Sequence, residues 1–380
     1  VVLLGASGSG KTTLAEAMAF DGKVIDRRGS IETDSTLSDY TDIEHIYKRS
    51  IYPTLLFAEY NGYKLNIIDT PGADDFCGGL FSAFKVADVG VMLINAQNGF
   101  EVGSEIQARY ARSHDKPIIA VINQLDSEKA SWEASLDSIR AASQVTPVVV
   151  QYPVNPGPDF NAFIDVLLMK MYKFKGDTGI REELDIPAEE MERATELNRI
   201  LTEAAAENDE ALMELYFEKG VLTQDELRSG LKLGLAKRDL IPVFCASGKR
   251  DIGAKRLMEF IINVAPGPLK APNFVTVDGR EIEPDSNGPT ALFVFKTTVE
   301  PHLGEVTYFR VVSGKVTEGM ELVNSKTGNK EKISQLFAVA GKNRVKVTEM
   351  MAGDIGCTVK LKGTRTNQTL STPGSNIEID

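Results

Sequence analysis

Cysteine, histidine and tryptophan are scarce in this chain, which contains three, three and one of them among its 380 residues. The cysteines are Cys77, Cys245 and Cys357. An odd number of widely spaced cysteines favours neither a disulfide framework nor a metal cluster, so we expect three reduced thiols in a cytoplasmic protein. The histidines match no catalytic-triad or metal-ligand spacing, and we expect structural or surface roles for them.

Long hydrophobic runs and an excess of basic charge are also missing. No stretch of about 20 apolar residues occurs, which predicts that the chain has no membrane span. No basic segment precedes the apolar residues 1–4, so we interpret these as a strand whose upstream residues are missing and not as a signal peptide. Lys and Arg number 42 against 54 Asp and Glu, a net charge of −12, and this acidity argues against a protein that coats DNA.

The negative charge is concentrated in one segment. Residues 181–228 contain 15 acidic and 5 basic side chains, whereas residues 288–380 carry a net charge of +3. Apolar residues recur at helical spacing through 189–207, and the segment from Thr223 to Glu226 fits a capping box at the start of a further helix. We therefore predict a mostly helical insertion over about residues 155–238, which faces solvent or a protein.

Continuous apolar runs predict the fold class. Such runs favour parallel strands that are buried on both faces of a sheet, and the sequence has six of them, at 1–4, 65–68, 89–95, 117–122, 147–151 and 240–245. Residues 1–268 are therefore predicted to form an α/β domain. A linker over residues 269–290 precedes residues 291–380, where short β-rich runs between glycine turns predict an antiparallel β-barrel.

A glycine-rich segment follows the first predicted strand. Residues 5–12 are GASGSGKT and fit the phosphate-loop pattern G-x-x-x-x-G-K-[ST], with a predicted helix directly after them. Lys11 is expected to bridge the β- and γ-phosphates and to act in catalysis, and the Thr12 hydroxyl is expected to bind Mg²⁺. The other predicted phosphate-binding residues are Gly5, Ser7, Gly8, Ser9, Gly10 and Thr13.

The motif DTPG follows the second predicted strand, at the edge of the sheet where an open α/β fold binds nucleotide. We expect Asp69 to hold Mg²⁺ through water. We expect the Gly72 amide to contact the γ-phosphate, which gives Gly72 a catalytic role. Alone, DTPG would equally fit an ordinary turn, but its pairing with the phosphate loop favours the functional interpretation.

The residues after the later strands predict which base is bound. In the motif NQLD, formed by Asn123, Gln124 and Asp126 with an intervening Leu, the carboxylate can accept hydrogen bonds from N1–H and the exocyclic amine of guanine. Adenine offers neither of these two donors. A site built around both hydrogen bonds to the carboxylate therefore rejects adenine, which cannot form them. Ser247 and Gly248 are expected to flank the base. The nucleotide is therefore predicted to be GTP or GDP, bound by a P-loop GTPase domain.

With these motifs, the chain resembles the translational GTPases, most closely elongation factor G and its paralogues, over nearly its whole length. The other segments that carry the resemblance are 65–72 (LNIIDTPG), 201–216 (LTEAAAENDEALMELY), 242–247 (PVFCAS), 309–314 (FRVVSG) and 352–355 (AGDI). The resemblance implies a cytoplasmic, monomeric factor that binds GTP, GDP and Mg²⁺ and acts on ribosomal RNA and ribosomal proteins. Members of the family continue with three further domains after the position of Asp380, so this segment alone is not expected to complete a translocation cycle.

Two departures from the family pattern concern the γ-phosphate. The family's first switch aligns without gaps from Asp39 and places Ser50 at its Mg²⁺-binding threonine; the alternative is that Ser50 is an ordinary exposed loop residue. The histidine of the family's D-T-P-G-H motif, which orients the attacking water, is replaced by Ala73. A methyl group can neither accept nor donate a hydrogen bond, so we predict tight GTP binding with weak hydrolysis.

Two further departures concern the loop and the base: the family's N-K-x-D lysine is Gln124, and its phosphate-loop aspartate is Gly8.

The function predicted from the sequence is a ribosome-acting GTPase that switches with the γ-phosphate. The alternative is a GTP-gated ribosome-binding protein of the recycling or protection type, with little or no hydrolysis. A non-ribosomal regulatory GTPase is a third and weaker candidate, because the second-domain resemblance argues against it.

Overall fold

The computed structural model describes residues 1–76, 78–301 and 303–380, so Cys77 and His302 lie outside the described residues. Cys245 and Cys357 are free and buried. Within the described ranges, no helix is both long enough and apolar enough to cross a membrane.

A central sheet occupies the α/β part of the chain. Its strands are β1 Val2–Leu4, β2 Thr54–Tyr60, β3 Tyr63–Asp69, β4 Gly90–Asn95, β5 Ile118–Asn123, β6 Thr146–Val149 and β11 Leu240–Cys245. They lie in the order β2-β3-β1-β4-β5-β11-β6. Neighbours are parallel except for the antiparallel hairpin of β2 and β3. The parallel strands explain the continuous apolar runs, because both of their faces are buried.

Helices lie between these strands along the chain, and one more follows β11. They are α1 Lys11–Asp21, α2 Asp42–Tyr47, α3 Gly78–Val86, α4 Val102–Ser113, α5 Trp132–Ala142 and α9 Ala254–Val264, with a 3₁₀ turn at Asp74–Phe76. Helix α1 packs against β1, β2, β3 and α9, and its Leu14 and Met18 are fully buried. Because α1 follows the glycine-rich loop, this packing fixes the loop at the carboxyl end of β1.

The segment between β6 and β11 contains strands as well as the predicted helices. The strands β7 Gln151–Pro153, β8 Ala162–Asp165, β9 Lys170–Phe174 and β10 Arg181–Leu184 form an antiparallel sheet, and the helices α6 Ala188–Ala206, α7 Glu210–Lys219 and α8 Gln224–Lys237 follow. The capping box at Thr223 is confirmed. Helices α6 and α8 approach closely at Gly230, where a Cβ would lie 2.5 Å from the Ala205 carbonyl oxygen.

The rest of the chain is β-structure whose described pairs are all antiparallel. A short pair, β12 Phe274–Val275 and β13 Glu281–Ile282, comes first. The later strands are β14 Ala291–Glu300, β15 Gly304–Ser313, β16 Lys315–Thr317, β17 Glu321–Asn324, β18 Lys330–Lys332, β19 Leu336–Ala340, β20 Asn343–Val347, β21 Glu349–Met351, β22 Ile355–Val359 and β23 Thr369–Ser371. In the described chain, eight of them form one sheet and β16 pairs with β21. The predicted fold class, an α/β domain followed by an antiparallel β domain, is confirmed.

The β domain contacts the α/β domain beside the first switch. The Lys296 ammonium donates to the Pro53 carbonyl oxygen at 2.6 Å, and the Gly341 amide donates to the Leu55 carbonyl oxygen at 2.9 Å. Gly341 has a φ of 60°, and a Cβ there would lie 1.9 Å from the Leu37 carbonyl oxygen. The β domain therefore touches the chain on both sides of Ser50.

Candidate nucleotide-binding site

The glycine-rich loop brings its backbone close to the neighbouring strands. Gly5 and Gly10 have φ angles of 133° and 89°, in the range that L residues rarely adopt. A Cβ on Gly5 would lie 2.3 Å from the Leu93 carbonyl oxygen, and one on Gly10 would lie 2.4 Å from the side-chain nitrogen of Asn123. Glycine at these positions lets the loop fold against β4 and β5. Helix α1 then starts at Lys11 with amides that have no partner within the helix, an arrangement that favours anions.

Lys11 folds back over the loop. Its Nζ donates to the carbonyl oxygens of Gly5 at 2.7 Å and Ala6 at 2.9 Å. Burial lowers the pKa of Lys11 to about 8, against the attraction of Asp69 and Asp39. A polyphosphate would add negative charge beside Lys11 and favour its ammonium form. Lys11 can therefore act as a cationic ligand of a phosphate chain.

The three predicted metal ligands meet beside the start of α1. The Thr12 hydroxyl donates to Asp69 Oδ2 at 2.7 Å, and Thr12 Oγ1 lies 3.1 Å from Ser50 Oγ. These residues come from the phosphate loop, the end of β3 and the first switch. Ser50 is half-buried in this contact, which disfavours the alternative of an ordinary exposed loop residue.

Asp39 joins this cluster, although the sequence analysis gave it no role beyond the start of the first switch. Asp39 is 5% exposed. Both of its carboxylate oxygens and Asp69 Oδ1 lack a hydrogen-bond partner among the described residues. Burial, together with the negative charge of the nearby Asp69, raises the pKa of Asp39 to about 7. In the sequence, Asp39 was marked only by its position at the start of the first switch. No local sequence pattern indicated that its side chain turns inward.

The donor set fits a hard divalent cation. Within the described ranges, no group of three or more His, Cys, Asp or Glu residues is arranged to hold a metal by itself. The cluster instead combines the hydroxyls of Thr12 and Ser50 with the carboxylates of Asp69 and Asp39. Mg²⁺ prefers oxygen ligands and keeps several waters when it binds beside phosphates. Unpaired, buried carboxylate oxygens are what such a hydrated ion would satisfy.

The DTPG motif lies against the phosphate loop. A Cβ on Gly72 would lie 2.5 Å from Lys11 Nζ and 2.7 Å from the Ser7 amide nitrogen, so the backbone approach requires glycine. Ala73 follows, half-buried, and lines the same cleft as Gly72 and Ser50. The methyl group of Ala73 therefore stands in the cleft where the resemblance predicts an imidazole.

The NQLD motif joins the phosphate loop to the loop after β11. The Asn123 side chain donates to the Ser9 carbonyl oxygen at 2.9 Å and accepts from the Gly248 amide at 3.0 Å. Gln124 Nε2 donates to the Gly8 carbonyl oxygen at 2.7 Å. Gln124 thus makes a neutral hydrogen bond to the loop, in the bridging position that the family's lysine would occupy.

Two buried glutamates, which the sequence analysis missed, fold the first switch. Glu16 accepts from the amides of Gly29 at 2.7 Å and Leu37 at 2.9 Å. Glu44 accepts from the amides of Ile51 at 3.1 Å and Tyr52 at 3.2 Å. Each carboxylate ties together residues distant in the chain, a pattern that no local motif reveals. Together they shape the segment that carries Asp39 and Ser50.

These parts surround one cleft of about 730 Å³. The predicted residues that line it are Ser7, Gly8, Gly10, Lys11, Thr12, Thr13, Ser50, Gly72, Ala73, Asn123, Gln124, Asp126 and Gly248. Four predicted residues are not part of this lining: Gly5, Ser9, Asp69 and Ser247. They affect the cleft through the lining residues that they contact or adjoin. Lining residues that the sequence analysis did not single out include Arg28, Asp39, Lys48, Arg49 and Lys249. The cleft combines a cationic end with an acidic cluster, and supplies positioning and charge for a phosphate chain.

Comparison with known proteins identifies this architecture. The family model described as the elongation factor Tu GTP binding domain matches residues 1–267. The model described as elongation factor G domain 2 matches residues 289–373. A crystal structure from Thermus thermophilus superposes with a TM-score of 0.88 at 27% sequence identity, covering 99% of this chain and 55% of that one. The chain thus spans about half the length of this similar protein. Residues 1–267 therefore form a GTP-binding domain, and the chain belongs to the translational GTPase family, with the domain arrangement of elongation factor G.

Proposed function

We propose that this chain is the nucleotide-binding part of a translation factor that acts on the ribosome, changes conformation with the γ-phosphate of GTP and hydrolyses GTP slowly. The observation that carries the proposal is Ala73, whose methyl group lines the phosphate end of the cleft beside Gly72. We also propose the predicted boundaries, with a GTP-binding domain over 1–268, an insertion over about 155–238, a linker over 269–290 and a second domain over 291–380.

The switch rests on two segments that both line the cleft. Ser50 on the first switch lies beside Thr12, and Gly72 on the second lies against the phosphate loop. A γ-phosphate at this point offers oxygens to the Gly72 amide and to Lys11. Thr12 and Ser50 would hold Mg²⁺ directly, with Asp69 and Asp39 holding its waters, and the ion would supply positive charge to the phosphates. Loss of the γ-phosphate would remove the group that both segments share.

Slow hydrolysis is expected because the side chain at position 73 cannot form a hydrogen bond to the attacking water. Phosphoryl transfer depends on positioning and on stabilising charge, and in the described lining no histidine is present. His45 lies on α2 but pairs a ring nitrogen with the Asp39 carbonyl oxygen at 2.9 Å, outside the lining. A single missing group of this kind typically lowers the rate by about 10²–10³.

The ribosome as partner is supported by the second-domain match over 289–373 and by the net charge of +3 on residues 288–380. This local positive charge contrasts with the acidic insertion, and it is the part of the chain that suits RNA. We propose a cytoplasmic monomer that binds GTP, GDP and Mg²⁺ and does not bind DNA. Failure of the GTP-bound chain to sediment with ribosomes would contradict the partner assignment.

The second candidate is a GTP-gated ribosome-binding protein of the recycling or protection type, in which the GTP state itself does the work. The same residue favours it, because Ala73 provides no group to orient water. Phosphate release over many turnovers, with and without ribosomes, separates the candidates. Slow but ribosome-stimulated release supports a weak GTPase, and release at background level with GTP-dependent ribosome binding supports the second candidate. Rapid release by the unmodified chain would overturn both.

A further inference from the structure

A turn of the insertion rests on the loop that follows β11. The turn comprises residues 175–180 between β9 and β10, and the loop comprises residues 247–250; we call them the brace turn and the base loop. The Nε of Arg250 donates to Asp177 Oδ1 at 2.8 Å, and its Nη1 donates to the carbonyl oxygens of Pro158 at 3.1 Å and Phe160 at 3.0 Å. All three acceptors belong to the insertion.

Arg28 holds the same junction from the other side. Its Nη1 donates to the carbonyl oxygens of Gly248 at 3.2 Å and Lys249 at 3.1 Å. Its Nη2 donates to the carbonyl oxygen of Asp177 at 2.6 Å. One guanidinium therefore contacts both the base loop and the brace turn, and it lines the nucleotide cleft as well. A planar fork of donors suits this role better than a lysine would.

The brace turn is also seated by close backbone packing. Lys255 at the start of α9 donates to the Gly179 carbonyl oxygen at 3.2 Å. Gly179 has a φ of 65°, and a Cβ there would lie 2.5 Å from Asp251 Oδ2. A side chain at position 179 would therefore clash with Asp251, which directly follows the base loop.

The base loop in turn touches the predicted base site. Its Gly248 amide donates to the Asn123 side chain, and Gly248 and Lys249 line the same cleft as Asp126. We infer that the brace turn is a positioning element for guanine nucleotide: it holds the base loop closed and so sets how fast the nucleotide leaves. The inference rests on the proposed nucleotide site. It adds a function to the insertion that neither the motifs nor the domain matches assign.

The test is the dissociation rate of fluorescent GDP from the whole 380-residue chain, chased with excess GDP in a stopped-flow instrument. Asp177→Ala removes an exposed ion pair, so we expect roughly threefold faster release. Arg250→Met removes all three contacts to the insertion, so we expect roughly tenfold faster release. The association rate should stay unchanged in both variants, because the phosphate end of the cleft is intact.

Two controls separate positioning from a general loss of structure. Asp177→Asn keeps an acceptor oxygen for Arg250 and should release GDP at about the wild-type rate. Asp185→Ala removes an exposed ion pair with Lys170 (2.9 Å) at the other end of the same hairpin, and it should leave release unchanged. The double variant Asp177→Ala with Arg250→Met should be no faster than Arg250→Met alone, because the contact that Asp177→Ala breaks is already lost in Arg250→Met.

The outcomes are distinct. If the unmodified chain does not bind fluorescent GDP, the proposed nucleotide site is wrong. If it binds, and both Asp177→Ala and Arg250→Met release GDP at the wild-type rate with unchanged thermal unfolding, the positioning role is wrong. If Asp185→Ala accelerates release as much as Asp177→Ala does, the effect comes from the hairpin as a whole and the inference is overturned.

Discussion

Introducing a histidine at position 73 should accelerate GTP hydrolysis. Ala73 is half-buried in the cleft, has no positive φ, and accepts a backbone hydrogen bond from the Phe76 amide at 3.1 Å. The backbone conformation at position 73 therefore does not require alanine. Ala73→His would add an imidazole to the cleft that Gly72 and Ser50 also line. One positioned group of this type is worth about 10²–10³ in rate, or about 2.7–4 kcal/mol in the barrier.

The assay is single-turnover phosphate release from bound GTP on ribosomes, at saturating factor. We expect Ala73→His to be faster than the unmodified chain by at least about tenfold, a lower bound that allows for imperfect placement of the new ring. Ala73→Phe is the matched control, because it adds a ring of similar size that cannot form the hydrogen bonds of histidine. It should not accelerate release.

The reasoning would be refuted if Ala73→His bound GTP and ribosomes normally and released phosphate no faster than the unmodified chain. Equal acceleration by Ala73→Phe would also refute it, because the effect would then come from filling space. A GTP titration for each variant is needed so that a loss of binding is not mistaken for a loss of chemistry.

Three further predictions test the base site, the domain contact and a buried carboxyl group. Asp126→Asn should weaken GTP binding about 10–100-fold, because a charged acceptor for two guanine donors is lost; an unchanged Kd in a fluorescent-nucleotide titration would show that the base lies elsewhere. Gly341→Ala places a Cβ 1.9 Å from the Leu37 carbonyl oxygen and should lower the free energy of unfolding by about 2 kcal/mol in urea, whereas Gly328→Ala, with φ 71° and open space, should lower it less. Burial and the nearby Asp251, opposed by Lys255, raise the pKa of Asp21 to about 7. The folded state therefore holds a proton that the unfolded state releases near its ordinary pKa of 3.8, so stability falls as pH rises from about 4 to 7. Asp21→Asn should flatten that slope in thermal unfolding, and an unchanged slope would contradict the assignment.

The fold class was predictable because its signals are local. The apolar runs mark strands that are buried on both faces, and the glycine spacing around Lys11 reflects backbone approaches that the structure measures directly. Asp69 and Asn123 lie at the ends of β3 and β5, so their convergence follows from the geometry of a parallel sheet. Because each residue stands at the end of a predicted strand, its position in the motif was enough to place Asp69 and Asn123 at the same edge of the sheet.

Other parts of the site depend on contacts between distant segments, which a sequence pattern does not contain. Strand β10 is REEL in sequence and has no apolar alternation, so its place in a sheet is decided by pairing with β9. The inward turn of Asp39 depends on Glu16 and Glu44, which hold amides 13 to 21 and 7 to 8 residues away. Arg28 acts through backbone carbonyl groups, and Arg250 acts through two such groups and the Asp177 carboxylate. Contacts of this kind between distant segments have no signature in the sequence.

The contacts of Lys296 and Gly341 with the segment around Ser50 have a thermodynamic consequence. A flexible segment must lose conformational entropy when it closes over a ligand, and that loss is smaller when its two ends are already fixed in space. By anchoring the chain at Leu37 on one side and at Pro53 and Leu55 on the other, the β domain reduces the number of conformations that the first switch can visit. In the proposed function, part of the affinity for GTP therefore depends on contacts outside the nucleotide domain, because these contacts restrict the segment that would order around the γ-phosphate.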